Sequence, residues 1–222
     1  YMTALVTGAT GFVGNAVARA LVETGEKIRV LARPETDRRL LSNLDVEIMT
    51  GDLRDYDSVV AATKGVGAVY HVAAMYKLWV RKKRHMYDCN VLGTQHVLEA
   101  AAASDVEKVI YTSSVATLGV LGDGTNGTEE TPVSLQDMVG HYKRSKFLAE
   151  EKVLRAAREG LRVVVVNPST PIGPRDLKPT PTGKMIVDFL NGKMYGYVDT
   201  GLNLVDVEDV AKGHLLAAEK GR

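Results

Sequence analysis

Two groups of residues in this sequence have the types and spacing to do chemistry. The first is Tyr142-Lys143-Arg144-Ser145-Lys146. Four-residue spacing sets Tyr142 and Lys146 one turn apart on one face of a helix. An ammonium beside a phenol favours the phenolate and lowers the tyrosine pKa from its free value of about 10. A pair tuned in that way can deliver or remove a proton near neutral pH. Such a pair is common on basic helix faces; the preceding strand, ending Tyr111-Thr112-Ser113-Ser114, gives it weight.

The second group is Thr7-Gly8-Ala9-Thr10-Gly11-Phe12-Val13-Gly14, set between a strand and a helix. The backbone must turn tightly at Gly8 and come close to a pyrophosphate at Gly11, while Gly14 lets the helix pack near the sheet. The helix start, from Phe12 and Val13, offers unpaired N–H groups and a positive dipole end. The next strand ends Val30-Leu31-Ala32, followed by Arg33, with Arg38 and Arg39 nearby. An acidic residue there would hold the ribose 2′-hydroxyl of NAD, whereas a guanidinium suits a 2′-phosphate. Arg33 therefore favours NADP over the alternative, NAD.

These residues need a scaffold, and the hydrophobic pattern supplies one. Strands are predicted at 4–7, 27–32, 46–49, 68–72, 108–112 and 161–166. Helices are predicted at 12–24, 55–64, 82–103 and 139–158. The strands read as continuous apolar runs, which implies burial on both faces and a parallel sheet. Strand and helix in strict succession predict an α/β fold: a Rossmann-type doubly wound parallel sheet with helices on both faces. Past Asn167 the texture changes. Pro168, Pro171, Pro174, Pro179 and Pro181 exclude regular helix or central strand there, which predicts a structured loop. A short helix near 185–191, a strand near 204–205 and a final helix near 207–220 follow.

Composition excludes several classes. The 222 residues carry 28 Lys+Arg against 27 Asp+Glu, with 45% hydrophobic and 25% charged residues. A net charge of +1 gives no global reason to expect nucleic acid or an anionic membrane as partner. The cluster Arg81-Lys82-Lys83-Arg84-His85 reads as a solvated face without an aromatic stacking platform. The histidines show no metal spacing. One cysteine, Cys89, fits a reducing compartment, so a cytoplasmic setting is expected. No run is long enough to span a bilayer. With a glycine turn reached by Gly8, no signal-peptide apolar core is expected.

The Gly-x-x-Gly-x-x-Gly spacing, with the Ser and Tyr-x-x-x-Lys segments, resembles the extended short-chain dehydrogenase/reductases, the NAD-dependent epimerase/dehydratase family. Within them the chain is similar to the dihydroflavonol-4-reductase-like branch, and most of all to the hopanoid-associated sugar epimerases. That further likeness rests on Thr112 to Gly119, Gly140 to Glu150 and the proline-rich run from Asn167 to Gly183. The resemblance implies roles. Ser114, five residues before Gly119, polarises the substrate oxygen in preference to Ser113. Tyr142 exchanges the proton, and Lys146 also holds the nicotinamide ribose. Asn90 on the long helix shapes the active site. Asp52 and Leu53 touch the adenine, Ala73 and Ala74 let the chain pass the cofactor, and Pro168 and Ser169 reach the carboxamide. His71 is given no chemistry. Tyr76 and Trp79 read either as walls of the substrate pocket or as core.

The resemblance implies hydride transfer between nicotinamide and a carbonyl or alcohol carbon of a small molecule. The alternative is a nucleotide-sugar epimerase working by transient oxidation, and a second is a non-catalytic cofactor-sensing protein, against which the retained Ser114, Tyr142 and Lys146 argue. A homodimer through the two long helices is common among such proteins. Residues 1–167 are expected to form the NAD(P)-binding domain. Residues 168–222 are expected to form an incomplete substrate-binding region, because relatives continue beyond it.

Overall fold

The computed structural model describes residues 3–77 and 79–221. Six strands form one sheet: β1 (Thr3–Thr7), β2 (Lys27–Ala32), β3 (Val46–Thr50), β4 (Val66–His71), β5 (Lys108–Thr112) and β6 (Val163–Val166). All neighbours are parallel, in the order β3-β2-β1-β4-β5-β6. The chain winds outward from β1 in one direction and from β4 in the other. The crevice between these two strands, at their carboxyl ends, is where such a sheet binds ligands. Register brings Thr7, Leu31 and His71 level at that edge.

Helices cover both faces, as the apolar runs predict. Side chains alternate along each strand. Val6, Val30, Tyr70 and Ile110 meet α1 (Phe12–Glu23) and the last helix, α7 (Val207–Lys220). Leu5, Leu31, Val69 and Val109 meet α2 (Tyr56–Thr63) and α4 (Gly93–Ala103) on the other side. Tyr111 packs there with Leu98, Ala149 and Val153, the last two on α5 (His141–Arg158). The edge strands depart from the expectation. Glu47 and Ile48 of β3 are exposed, and all of β6 is half-buried, because an edge strand has a neighbour on one side only.

Three other elements differ from the sequence reading. The long helix predicted over 82–103 is α3 (Lys83–Tyr87), one π turn (Asp88–Leu92) and α4. The wide turn carries Asn90, whose buried side chain takes partners inside the molecule. Helix α5 starts at His141 rather than at 139, because Gly140 sits at φ +86°, a left-handed conformation that cannot extend the helix backward. The proline-rich segment holds more regular structure than its prolines suggest. A short strand β7 (Thr170–Ile172) pairs in parallel with β8 (Leu204–Asp206), and a two-stranded ribbon tolerates Pro171. Helix α6 (Pro181–Leu190) begins four residues before the expected start. Its proline occupies the first turn, where no N–H is needed, and the Thr180 hydroxyl accepts from the Gly183 N–H.

Helix α7 returns to the sheet. Its Val207 and Ala211 join the α1 core, and the Thr112 hydroxyl bonds His214 Nε2 at 2.7 Å. No helix among the described residues is long and apolar enough to cross a membrane. Leu5 is fully buried at the centre of the sheet. Leu5→Ala is expected to cost about 2 to 5 kcal/mol. In urea denaturation the midpoint should fall while the slope stays unchanged.

Candidate active site

The glycine loop lies at the carboxyl end of β1. Gly8 has φ +79°, and a Cβ there would lie 2.7 Å from the backbone of Ala73, just past the end of β4. Two chain segments thus cross in contact at the switch point, which only glycine permits. The Ala73 N–H donates to the Thr7 hydroxyl at 3.2 Å and ties the same crossing. A Cβ at Gly14 would meet the Gly8 carbonyl at 2.2 Å, so Gly14 seats the helix on the loop's own backbone. Gly11 is exposed and caps α1 without a side-chain hydrogen bond, and the first turn carries no acid. A helix start of this kind, uncapped and free of negative charge, fits a dinucleotide phosphate. Thr10, Phe12 and Val13 flank it, each half-buried.

After β2 come three arginines that differ in how far they are engaged. Arg39 forms an ion pair with Asp37 at 2.7 Å and holds that carboxyl down to about 2. Arg38 donates to the Thr50 hydroxyl. Arg33 is exposed and only 3.5 Å from Glu35, a loose surface pair that leaves it available. Asp52 accepts from Arg54 Nη2 at 2.6 Å, and these hydrogen bonds lower its pKa. Leu53 is fixed by its carbonyl, which accepts from His96 Nδ1, and by close packing on Gly93. Ala74 lies exposed beyond Ala73.

Tyr142 and Ser114 meet at the opposite end of the crevice. The Ser114 hydroxyl oxygen accepts from the Ala116 N–H at 3.1 Å, and the Ser114 side chain lies near enough to the Tyr142 phenol to lower its pKa. Ser113 instead is buried, with its hydroxyl 3.5 Å from that of Thr117. Pro168 accepts from the Val115 N–H, which holds the loop after β6 against the Ser114 loop; Ser169 follows, half-buried. Lys146 is only 2% exposed. Its ammonium donates to the Thr112 carbonyl at 2.6 Å and to the Tyr111 hydroxyl at 3.0 Å, and sits 4.5 Å from the Tyr111 ring centre.

The titration of the pair departs from the expectation drawn from spacing. Burial pushes the Tyr142 phenol up to about 12, Tyr76 adds to this, and the neighbouring Ser114 side chain opposes it. Burial pushes Lys146 down to about 7, with the Glu150 carboxylate acting against it. Spacing puts both groups on one helix face, but the ammonium spends its protons on β5, so it does not pull the phenol down.

Residues that spacing could not single out hold this arrangement. The Asn90 amide oxygen accepts from the Met75 N–H at 2.7 Å, and its nitrogen donates to the Met75 carbonyl and to the Ser145 hydroxyl. The Ser145 hydroxyl in turn donates to the Tyr142 carbonyl. Asn90 therefore pins the segment after β4 to α5, with its side chain engaged by those two partners. Thr94 donates to the Asn90 carbonyl, so it must accept from His71 Nε2–H, which leaves His71 Nδ1 to accept from the Thr7 hydroxyl. Glu150 accepts from Thr117 and from Asn167, bracing the loop behind Ser114. The Tyr76 ring lies 4.7 Å from that of Tyr142. Tyr111, Thr94 and Glu150 carry no local sequence signal; only the fold brings them to the site.

Comparison with known proteins places this geometry. Residues 4–222 match the model of the NAD dependent epimerase/dehydratase family. A candidate dihydroflavonol 4-reductase of Synechocystis is 47% identical over 98% of this chain, and the chain spans 63% of that protein's length. Sterol demethylase protein B of Methylococcus capsulatus is 38% identical over 99% of this chain and 67% of its own length. Among solved structures, gox2253 superposes with a TM-score of 0.96 at 52% identity, covering all of this chain and 68% of its own.

His71 yields a test of the buried network. Burial first, then the Lys146 charge, lower its pKa from 6.5 to about 3. Between those values the unfolded chain binds a proton that the folded chain refuses, so stability falls as pH drops through that window and levels below it. Urea midpoints should decline from pH 7 to pH 5, and His71→Gln should shrink that decline.

Proposed function

Because the chain belongs to the NAD-dependent epimerase/dehydratase family, we propose that it serves an NAD(P)-dependent oxidoreductase that reduces a carbonyl carbon of a small molecule. The observation that carries this reading is buried Lys146, bonded to the end of β5, with Tyr142 one turn earlier on the same helix beside the Ser114 loop. In this reading the Gly8–Gly14 loop and the start of α1 hold the pyrophosphate, and Asp52 and Leu53 border the adenine. Ala73 and Ala74 line the cofactor's path, Pro168 and Ser169 border the carboxamide, and Lys146 meets the nicotinamide ribose. When bound, the nicotinamide supplies or accepts the hydride.

The chain's own residues handle the proton. With its pKa near 12, the Tyr142 phenol is protonated at neutral pH and poised as a general acid. As charge develops on the substrate oxygen, Ser114 donates a hydrogen bond to it and Tyr142 gives up its proton. Asn90 acts as a positioning residue, since it bonds Met75 and Ser145. A phenol held in its acid form favours reduction over oxidation. The relative named as a dihydroflavonol 4-reductase supports the same direction. Arg33, only loosely engaged, supports NADP.

A second reading is a sugar epimerase, a class that the family's description names, with the hopanoid-associated kind as its finer form. It oxidises and re-reduces one hydroxyl, so NADPH is not consumed. Absorbance at 340 nm during turnover separates the two: steady loss supports the reductase, and product without loss supports the epimerase. A homodimer through α5 and the α3–π turn–α4 stretch belongs to the same proposal. Val97 and Leu98 are core residues, which leaves half-buried Val91, Phe147 and Leu148 for that contact.

Tyr142→Phe is expected to lower turnover by about 10² to 10⁴-fold while leaving NADPH affinity nearly unchanged; full turnover would remove Tyr142 from the reaction. Arg33→Ser is expected to weaken NADPH binding while sparing NADH. Equal effects on both, measured by cofactor fluorescence titration, would count against a 2′-phosphate contact.

A further inference from the structure

The reaction leaves one segment unused. After Met75, which Asn90 clamps by both backbone groups, the chain runs along the surface to α3. Trp79 is 78% exposed there, and Tyr76 39%. Lys77, Arg81, Lys82, Lys83 and Arg84 are all exposed. These nine positions, 76–84, hold five cations and no acid. Among the described residues, Arg84 alone of the five makes an ion pair, and it is a loose one: 3.9 Å to Asp88, with the Arg84 side chain 93% exposed.

An exposed indole beside cations that no acid neutralises combines an amphipathic ring with local positive charge, a pairing suited to an anionic interface. Trp and Tyr favour the boundary between water and lipid, where a ring can be buried while its polar edge stays wet. Lysines and arginines are drawn to an anionic leaflet. A nucleic acid would match the charge, but binding single strands calls for successive stacking rings. Here Tyr76 already lies against Tyr142, which leaves Trp79 alone. The structure assigns the surface formed by Tyr76, Lys77, Trp79 and Arg81 to Arg84 as a docking surface for an anionic phospholipid membrane, with Trp79 entering the headgroup layer and Lys77, Arg81, Lys82, Lys83 and Arg84 facing the lipid charges. The chain as a whole is nearly neutral at +1, so the attraction is local and orients the molecule. It turns the Tyr76–Tyr142 end of the crevice toward the bilayer.

Trp79 is the sole tryptophan, so its emission reports on this surface alone. Vesicles of phosphatidylcholine with about a third phosphatidylserine should shift that emission to the blue and shield it from acrylamide, and the protein should sediment with them. Pure phosphatidylcholine should do neither, and added salt should reverse the effect. Lys82→Glu with Lys83→Glu, both exposed and outside the catalytic group, should weaken vesicle binding by at least about twenty-fold, at roughly fivefold per lost cation. Circular dichroism should show the double variant folded. Unchanged Trp79 emission with anionic vesicles overturns the assignment, as does undiminished binding by the double variant. A response to a single-stranded oligonucleotide but not to vesicles would assign the surface to nucleic acid instead. None of these readouts depends on turnover, so the result stands apart from the catalytic reading.

Discussion

A lysine ammonium held out of water sets the terms for the whole site. Taking such a charge into a protein interior costs several kcal/mol on the order of the usual desolvation penalty, so its surroundings must be built for it. The last residues of β5 do most of that work. The Thr112 carbonyl and the Tyr111 hydroxyl accept two of the protons, and the Tyr111 ring lies beside the charge. Glu150, one turn further along α5, favours the charged form. To make these contacts, α5 must lie against β5 in one register, and that register carries Tyr142 to Ser114.

The same demand reaches across the sheet. His71 stays neutral because it is fully buried, and a positive charge on nearby Lys146 pushes the same way. A neutral imidazole with one donor and one acceptor then fixes the direction of every hydrogen bond from the Ala73 N–H through Thr7, His71 and Thr94 to the Asn90 carbonyl. That carbonyl belongs to the π turn, whose side chain holds Met75 and Ser145. The glycine loop, the segment after β4 and the Tyr142 helix are therefore one connected polar assembly. A change in any member leaves a buried donor or acceptor without its partner, which is costly in a dry interior.

Charge illustrates how a global quantity can hide a local one. A balance of 28 cations against 27 acids says nothing of a surface where five cations gather without an acid. The run Arg81 to His85 reads as solvated because no aromatic stacking platform accompanies it in sequence, and Trp79 reads as either pocket wall or core. Exposure of Trp79 decides between these, and exposure is a property of packing.

Much of the scaffold was legible from residue order. The glycine loop, the six strands and the Tyr142–Lys146 spacing follow from backbone sterics and from periods of two and 3.6, which act over a few residues. Even the local misreadings have local causes: Gly140 in a left-handed conformation, and Pro181 at a helix start. What the fold alone decided is the state of the chemical groups. Lys146 finds Tyr111 35 positions away, and Thr7 finds His71 64 positions away. Spacing suggested a phenol drawn toward its anion; burial and the ammonium's turn toward β5 hold it as an acid. Protonation depends on which atoms surround a group and whether water does, and only the tertiary structure sets those surroundings.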